Sequence, residues 1–425
     1  MFESILNAFR APDIRRRILF VLGIMIAFRF LAHVPVPGVD RTALADFFAG
    51  NQLFGLLDLF SGGGLSNFSV IGLGVNPYIN ASIIIQLMTG VIPALTALSR
   101  EGEYGRNKIN QYTRYLSVPL AMLQAYGFLA LLNSQNVLLG TFDISSFDTL
   151  TQIITLTAGS VVLMWLGELI TEKGIGNGIS FIIFAGIVSQ IPGAIVRFFE
   201  APDFLSAIVL VVIGVLAIMV IIYIQEGQRR IPIQYASRVR GRRMYQGGST
   251  FLPLRVNQAG VIPIIFAVSI LLFPSQIAQY FTTSQIDVVA NVATGIVSFF
   301  ANTTIYGVLY FLLTVGFTYF YTAFTFKPDE TAEQLRKNGG FIPGIRPGRP
   351  TQDYLSKVVQ RITIAGAFFL GVVAVLPFIV SAILPSLGGI TLGGTSLLIV
   401  VSVVVETLKQ IEAQLMMRNY EGFIR

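Results

Sequence analysis

The sequence predicts an all-α polytopic membrane protein: ten transmembrane helices, with both termini on the cytoplasmic side. Three observations predict it. The chain of 425 residues is 54% apolar and 12% charged, about half the charged fraction of a soluble domain. Its mean hydropathy of +0.72 leaves too little charge to coat a water-facing surface. Ten apolar runs are each long enough for a helix to cross about 30 Å of hydrocarbon, and the basic residues between them alternate in number. The runs cover residues 18–34, 76–95, 115–133, 152–170, 179–196, 204–224, 260–281, 302–324, 362–384 and 395–411.

Counting the segments outside the runs in order, and Lys409 at the end of the tenth run with the last, the first, third, fifth, seventh, ninth and last carry 4, 4, 1, 7, 7 and 3 Lys or Arg. The intervening segments carry only Arg41 and Arg197. Basic residues mark cytoplasmic loops, so the alternation orients the chain and supports the count, which one missed or spurious span would have broken. The first run follows Arg15, Arg16 and Arg17 as a signal peptide would, but no small-residue cleavage site follows it, and it is expected to be a retained helix.

The noncytoplasmic segments are expected to be short except 35–75. Its stretch Ser61, Gly62, Gly63, Gly64, Leu65, Ser66, Asn67, Phe68 is apolar enough to leave water but too glycine-broken to span. Irregular backbone at membrane depth needs a protein or water-filled cavity to receive it. From composition the stretch is either a re-entrant segment or a surface loop. Neither this run nor Gly174 to Gly178 (GIGNG) is a phosphate loop, because no strand precedes them and no Gly-Lys-Ser/Thr occurs.

Segment 225–257 holds Arg229, Arg230, Arg238, Arg240, Arg242, Arg243 and Arg255 against Glu226, with near-alternating Ile231, Ile233 and Tyr235 and a central Gly241, the pattern of a basic hairpin. Segment 325–361 starts with a short helix at Pro328, with Asp329 and Glu330 in its first turn, Arg336 and Lys337 in its last and Gly339 beyond. Pro343, Pro347 and Pro350 then stiffen the loop that carries Arg346, leaving little entropy to lose on binding. The stiffening favours docking over a purely topological role.

Chemistry is sparse. Without cysteine and with one histidine, His33, the chain offers no disulfide, thiolate metal site or imidazole cluster. No metal, cofactor or enzymatic constellation is expected. Arg29 lies five residues from Val34 and can snorkel outward, while Glu168, Glu172 and Glu406 sit near cytoplasmic helix ends, so no acidic relay is expected. Polar residues do adjoin isoleucine clusters: Asn76, Asn80 and Gln86 with Ile83, Ile84 and Ile85; Ser180 with Ile182 and Ile183; Asn257 and Gln258 before Ile262, Ile264 and Ile265. Such helices could line a pore closed by an apolar constriction, or simply face lipid.

Eight stretches carry a resemblance in order along the chain: FRFLAHVPVPGVD from Phe28, NPYINASIIIQL from Asn76, EGEYGRNKINQYTRY from Glu101, GIGNGISFIIFAGIV from Gly174, RRIPIQYA from Arg229, GVIPIIF from Gly260, GGFIPGIRPG from Gly339 and GGTSLLIVV from Gly393. The sequence resembles bacterial members of the SecY family of protein-conducting channels. The resemblance implies two pseudo-symmetric five-helix halves, residues 1–200 and 201–425, hinged between the fifth and sixth helices around an hourglass pore that also opens sideways into lipid. It implies a pore ring of Val75, Ile79, Ile183, Ile265 and Ile399, with Val75 a departure from the family's frequent Ile. The plug would be Phe60 to Phe68, and Gln86 and Asn257 the polar pair of a lateral gate. Arg242, Arg243 and Arg346 would engage a SecA-like motor ATPase or the ribosome. Implied partners are SecE-like and SecG-like small membrane subunits, signal peptides, nascent chains and lipids, in a bacterial inner membrane. Alternatives are an inverted-repeat secondary transporter and a passive scaffold or insertase.

Overall fold

The computed structural model describes residues 9, 11–50, 58, 61–140, 142–143, 146, 147–200, 204–235, 238–240, 243–245, 248–282, 286–383 and 394–422. Helix α1 (Pro12–Leu31) opens on a proline, which costs nothing in a first turn because the missing N–H has no helical partner there. The short α2 (Arg41–Gly50) is capped by Asp40, whose Oδ1 accepts from the Thr42 amide at 2.9 Å and the Thr42 hydroxyl at 2.6 Å. Those bonds hold the Asp40 carboxyl below the ordinary carboxylate range.

The run 76–95 is not one straight helix. Helices α3 (Asn76–Val91) and α4 (Pro93–Ser99) meet with a bend of 103°. The joint is Ile92, held extended at φ −89° and ψ 115° because the following Pro93 ring disfavours helical dihedrals before it. Helices α5 (Glu103–Ser134), α6 (Phe147–Lys173), α7 (Gly178–Glu200) and α8 (Phe204–Glu226) follow. After the strands come α9 (Ile262–Phe281), α10 (Asp287–Ala301), α11 (Thr303–Thr325), α12 (Pro328–Lys337), α13 (Arg349–Ile383) and α14 (Gly394–Gly422). The segment between the seventh and eighth apolar runs holds a helix not expected from the sequence, α10, of 15 residues. Its exposed Val288, Val292 and Phe299 recur at helical spacing, but the helix is too short to have been read as a span.

Among the described residues five stretches are long and apolar enough to cross a membrane, and the bent pair α3 and α4 makes a sixth. They pack as two groups. In one, α3 lies on α5, α5 on α6, and α6 on α7 and α1; in the other, α11 and α13 pack together, α9 lies against α11, and α8 and α13 meet α14. Contacts of α9 with α3 and α5, and of α14 with α7, join the groups around one buried apolar cluster. Backbones approach closely where α6 and α7 meet: a Cβ on Gly178 would lie 1.7 Å from the Gly167 carbonyl oxygen.

The basic hairpin forms as expected. Strand β1 (Gln228–Tyr235) pairs antiparallel with β4 (Ser249–Arg255), from Gln228 opposite Arg255 to Gln234 opposite Ser249, and β2 (Arg238–Arg240) with β3 (Arg243–Tyr245). The two basic segments are joined. Strand β5 (Gly340–Phe341) adds to the other edge of β1, with Gln234 opposite Phe341. Ile231, Leu254, Ala332, Ile342, Leu355, Val358 and Val359 form a second core beneath the sheet. A two-residue strand carries no periodicity, so this junction had no sequence signal.

Candidate functional site

All five residues of the expected ring are buried, from 0% exposure for Val75, Ile183 and Ile399 to 8% for Ile265, and all belong to the main apolar cluster. Each stands near a helix start. Val75 is the N-cap residue of α3 and Ile79 lies a turn inside it; Ile265 is in the first turn of α9, and Ile183 and Ile399 are the sixth residues of α7 and α14. Sequence chemistry fixes those starts. Pro77 and Pro263 occupy first turns, where their preset φ favours the helix. Asn177 Oδ1 caps α7 by accepting from the Ile179 and Ser180 amides at 3.1 and 3.3 Å. The GIGNG run is therefore a helix start, with Gly176 at φ +88°.

Of the expected plug, Phe60 lies outside the described residues. Ser61 to Phe68 is a series of turns with Ser61, Gly62, Gly64, Leu65 and Phe68 buried, which agrees with a segment received into the protein rather than a surface loop. The Val36 amide donates to the Phe68 carbonyl at 2.8 Å, and the Val70 amide to that of Val34 at 3.0 Å. Ser160 Oγ donates to the Gly74 carbonyl at 3.0 Å. Arg29 does not turn away as snorkelling would have it: its Nη1 donates to the Gly62 carbonyl at 2.7 Å.

Gln86 lies on α3 and Asn257 in the turn ahead of α9, and no hydrogen bond joins them. Gln86 Nε2 donates to Ser82 Oγ at 3.2 Å, and Asn257 Nδ2 to the Gly260 carbonyl at 3.1 Å. Both amide oxygens are buried without a protein partner. Asn257 lines a cavity of about 210 Å³ with Ser180, Arg255, Gln258, Glu406 and Lys409. The helix-end charges find partners across elements: Arg114 Nε meets Glu168 Oε1 at 2.5 Å and Lys409 Nζ meets Glu226 Oε1 at 2.7 Å, so Lys409 serves α8 and not Glu406.

Arg242 lies outside the described residues, and Arg243 opens β3 beside it. Arg346 is exposed. Its loop is braced by the Thr351 hydroxyl donating to the Arg346 carbonyl at 2.8 Å, by the Ile345 amide donating to that of Ile342 at 3.0 Å, and by Ile342 in the second core. Among the described residues no group of His, Asp and Glu is placed to hold a metal ion.

The family model described as SecY matches residues 69–408. The chain belongs to the SecY family. It is 46% identical to the protein translocase subunit SecY of Streptomyces coelicolor over 442 residues, covering all of both chains. The fold is similar to a solved structure described as "The plug domain of the SecY protein stablizes the closed state of the translocation channel and maintains a membrane seal", with TM-score 0.62, 17% identity, 93% of this chain and 91% of that one. It is also similar to "Sec61 in the Canine ribosome-channel complex from the endoplasmic reticulum", with TM-score 0.59, 18% identity and the same coverage.

Sequence reasoning passed over Asp58. Its Oδ1 accepts from the amides of Leu65 at 3.0 Å and Ser66 at 2.9 Å. A lone Asp ahead of a Ser-Gly run is the available signal, since carboxylates next to turns satisfy backbone N–H groups.

Proposed function

We propose that this chain is the protein-conducting channel of a bacterial plasma-membrane translocase, passing unfolded polypeptides across and releasing apolar segments sideways into lipid. In this reading ten helices span with both termini inside, residues 1–200 and 201–425 form the halves, and Val75, Ile79, Ile183, Ile265 and Ile399 form the constriction. The observation that carries it is that these five side chains, drawn from four helices of both helix groups, share one buried apolar cluster. Apolar side chains exclude a continuous water column at rest and yield to a passing chain because no directional bond has to break. A solute carrier would present converging polar groups at this depth, and a passive scaffold would need no seal.

The exposed Arg346 and the arginines of the hairpin tip are the docking points for a SecA-like ATPase or a ribosome; the likeness to a ribosome-bound Sec61 supports the second. The exposed apolar faces of α1 and α8, including Ile26, Phe30, Val215 and Met219, suit lipid and SecE-like or SecG-like helices. Ile79→Asn with Ile183→Asn hydrates the constriction and raises resting ion conductance in planar bilayers; conductance equal to that of the parent channel overturns the ring.

A further inference from the structure

The plug reading leaves open what holds residues 61–68 in place, and the hydrogen bonds answer it with two charged side chains. The Arg29 guanidinium, on the last turn of α1, reaches the Gly62 carbonyl at 2.7 Å. Gly62 is at φ +69°, and a Cβ there would come within 2.8 Å of Phe28 Cζ and 2.9 Å of Gly186 Cα, so the backbone is wedged between α1 and α7 where only glycine fits. Asp58 Oδ1 gathers three donors from the segment: the Leu65 and Ser66 amides and the Ser61 hydroxyl, the last at 3.0 Å. The Leu65 amide also reaches Ser61 Oγ at 3.0 Å, and Gln190 Nε2 of α7 donates to the Asp58 carbonyl at 3.4 Å.

Hydrogen bonds with an ionised partner are roughly twice as strong as neutral ones, and more so away from bulk water. Apolar packing alone would let the plug slide; a carboxylate on three donors fixes the fold of the segment, and the Arg29 and Gln190 bonds fix its place against α1 and α7. Among the described residues, every hydrogen bond from outside the plug to residues 61–74 comes from residues 29 to 160, and the Gln190 bond to Asp58 is also within the first 200 residues. Movement of α9 away from α3 and α5 breaks none of these bonds.

Resting on the plug reading, we propose that Arg29 of α1 and Asp58, itself tied to Gln190 of α7, are the positioning residues of a plug latch that, among the described residues, makes no bond to α9, so that parting the seam and releasing the plug are separate steps with separate thresholds. A substrate that opens the seam must still displace the latch before the pore conducts. The latch thereby sets how well a polypeptide must engage before the channel opens.

The chain has no cysteine, so Leu65→Cys supplies a single buried thiol in the plug. The test uses the full complex with its small subunits in proteoliposomes and a membrane-impermeant maleimide on the plug side. With the latch intact, modification is slow at rest and fast with a stalled substrate in the channel. Asp58→Leu and Arg29→Met are each expected to raise the resting rate about tenfold, whereas Asp58→Asn, which keeps an acceptor oxygen, stays within about threefold. Should Arg29→Met fail to reach the membrane folded, Asp58→Leu carries the test alone. Resting rates unchanged in Asp58→Leu, while a stalled substrate still accelerates modification, overturn the latch and leave the plug reading standing. A stalled substrate that gives no acceleration in the intact background overturns the plug reading, and the latch with it.

Discussion

Gln86→Leu and Asn257→Leu are conservative in volume and, in the proposed channel, flank the same lateral seam, yet the structure predicts different outcomes for them. Gln86 Oε1 is buried without a partner, a condition worth about 1–3 kcal/mol against the state that has it. Leucine removes that penalty at the loss of one weak bond to Ser82 Oγ, about 0.5–1.5 kcal/mol net. The closed seam should gain about 1 kcal/mol relative to an open one in which the amide meets water, roughly a fivefold shift. At about −0.5 kcal/mol per leucine for membrane insertion, a test segment would need about two more leucines to leave the pore sideways. Asn257 Oδ1 is orphaned in the same way, but Asn257 Nδ2 is the partner of the Gly260 carbonyl at 3.1 Å. Leucine there exchanges one unpaired oxygen for another, and the threshold should move by less than one leucine. The assay is insertion of a graded Ala/Leu series into membranes carrying each variant. Equal shifts for the two variants, or none for Gln86→Leu, would refute the reasoning from orphaned acceptors.

Three further outcomes can be checked independently. Arg346→Glu leaves folding intact, because reversal of an exposed charge seldom exceeds about 0.5 kcal/mol, and lowers motor-driven transport at least tenfold; normal transport in vesicles removes the docking role. Gly178→Ala forces a methyl to 1.7 Å from the Gly167 oxygen, so α6 and α7 must separate at about 1–3 kcal/mol or more, seen as a thermal midpoint several degrees lower in detergent. Glu333 is held below the ordinary glutamate range by the Arg336 guanidinium, which donates to it at 2.8 Å, with Lys337 nearby. A depressed carboxyl contributes its stabilisation above the unfolded value of about 4.3 and loses it as pH falls further. The protection factors of α12 amides, their exchange rates corrected for the intrinsic pH dependence, should therefore fall below about pH 4, and Glu333→Gln should abolish that dependence.

What could be read from the sequence was what local chemistry dictates. Pro328, Asp329, Glu330, Arg336 and Lys337 announce α12 and it runs Pro328–Lys337, because caps and dipole charges act within one turn. The alternation at Ile231 and Ile233 announces β1, whose inward face holds just those residues. Contacts between distant segments were opaque. Strand β5 is two residues long, the Arg29 bond spans 33 positions and the Gln190 bond spans 132. Gln86 and Asn257 show the same limit from the other side: their polar character was legible, but which neighbour each amide chose depends on backbone carbonyls that only the fold places. The ring residues were named from the family pattern alone, since isoleucine in an apolar helix carries no mark of its own.

In the proposed channel the ring and the plug are built from opposite chemistry, and that difference has a kinetic meaning. The constriction of Val75, Ile79, Ile183, Ile265 and Ile399 relies on dispersion and water exclusion, which weaken smoothly as side chains part and recover as smoothly. In that reading the plug is held by directional bonds involving Arg29 and Asp58, and such bonds weaken steeply once donor and acceptor fall out of line. A seal of the first kind adapts to whatever chain fills it but cannot register whether one is there. A latch of the second kind is nearly all-or-none, so it suits the initial decision to open. Arg29 and Asp58 belong to that decision, whereas the isoleucines govern leak while the chain is moving, and substitutions in the two sets should separate in any assay that resolves initiation from passage.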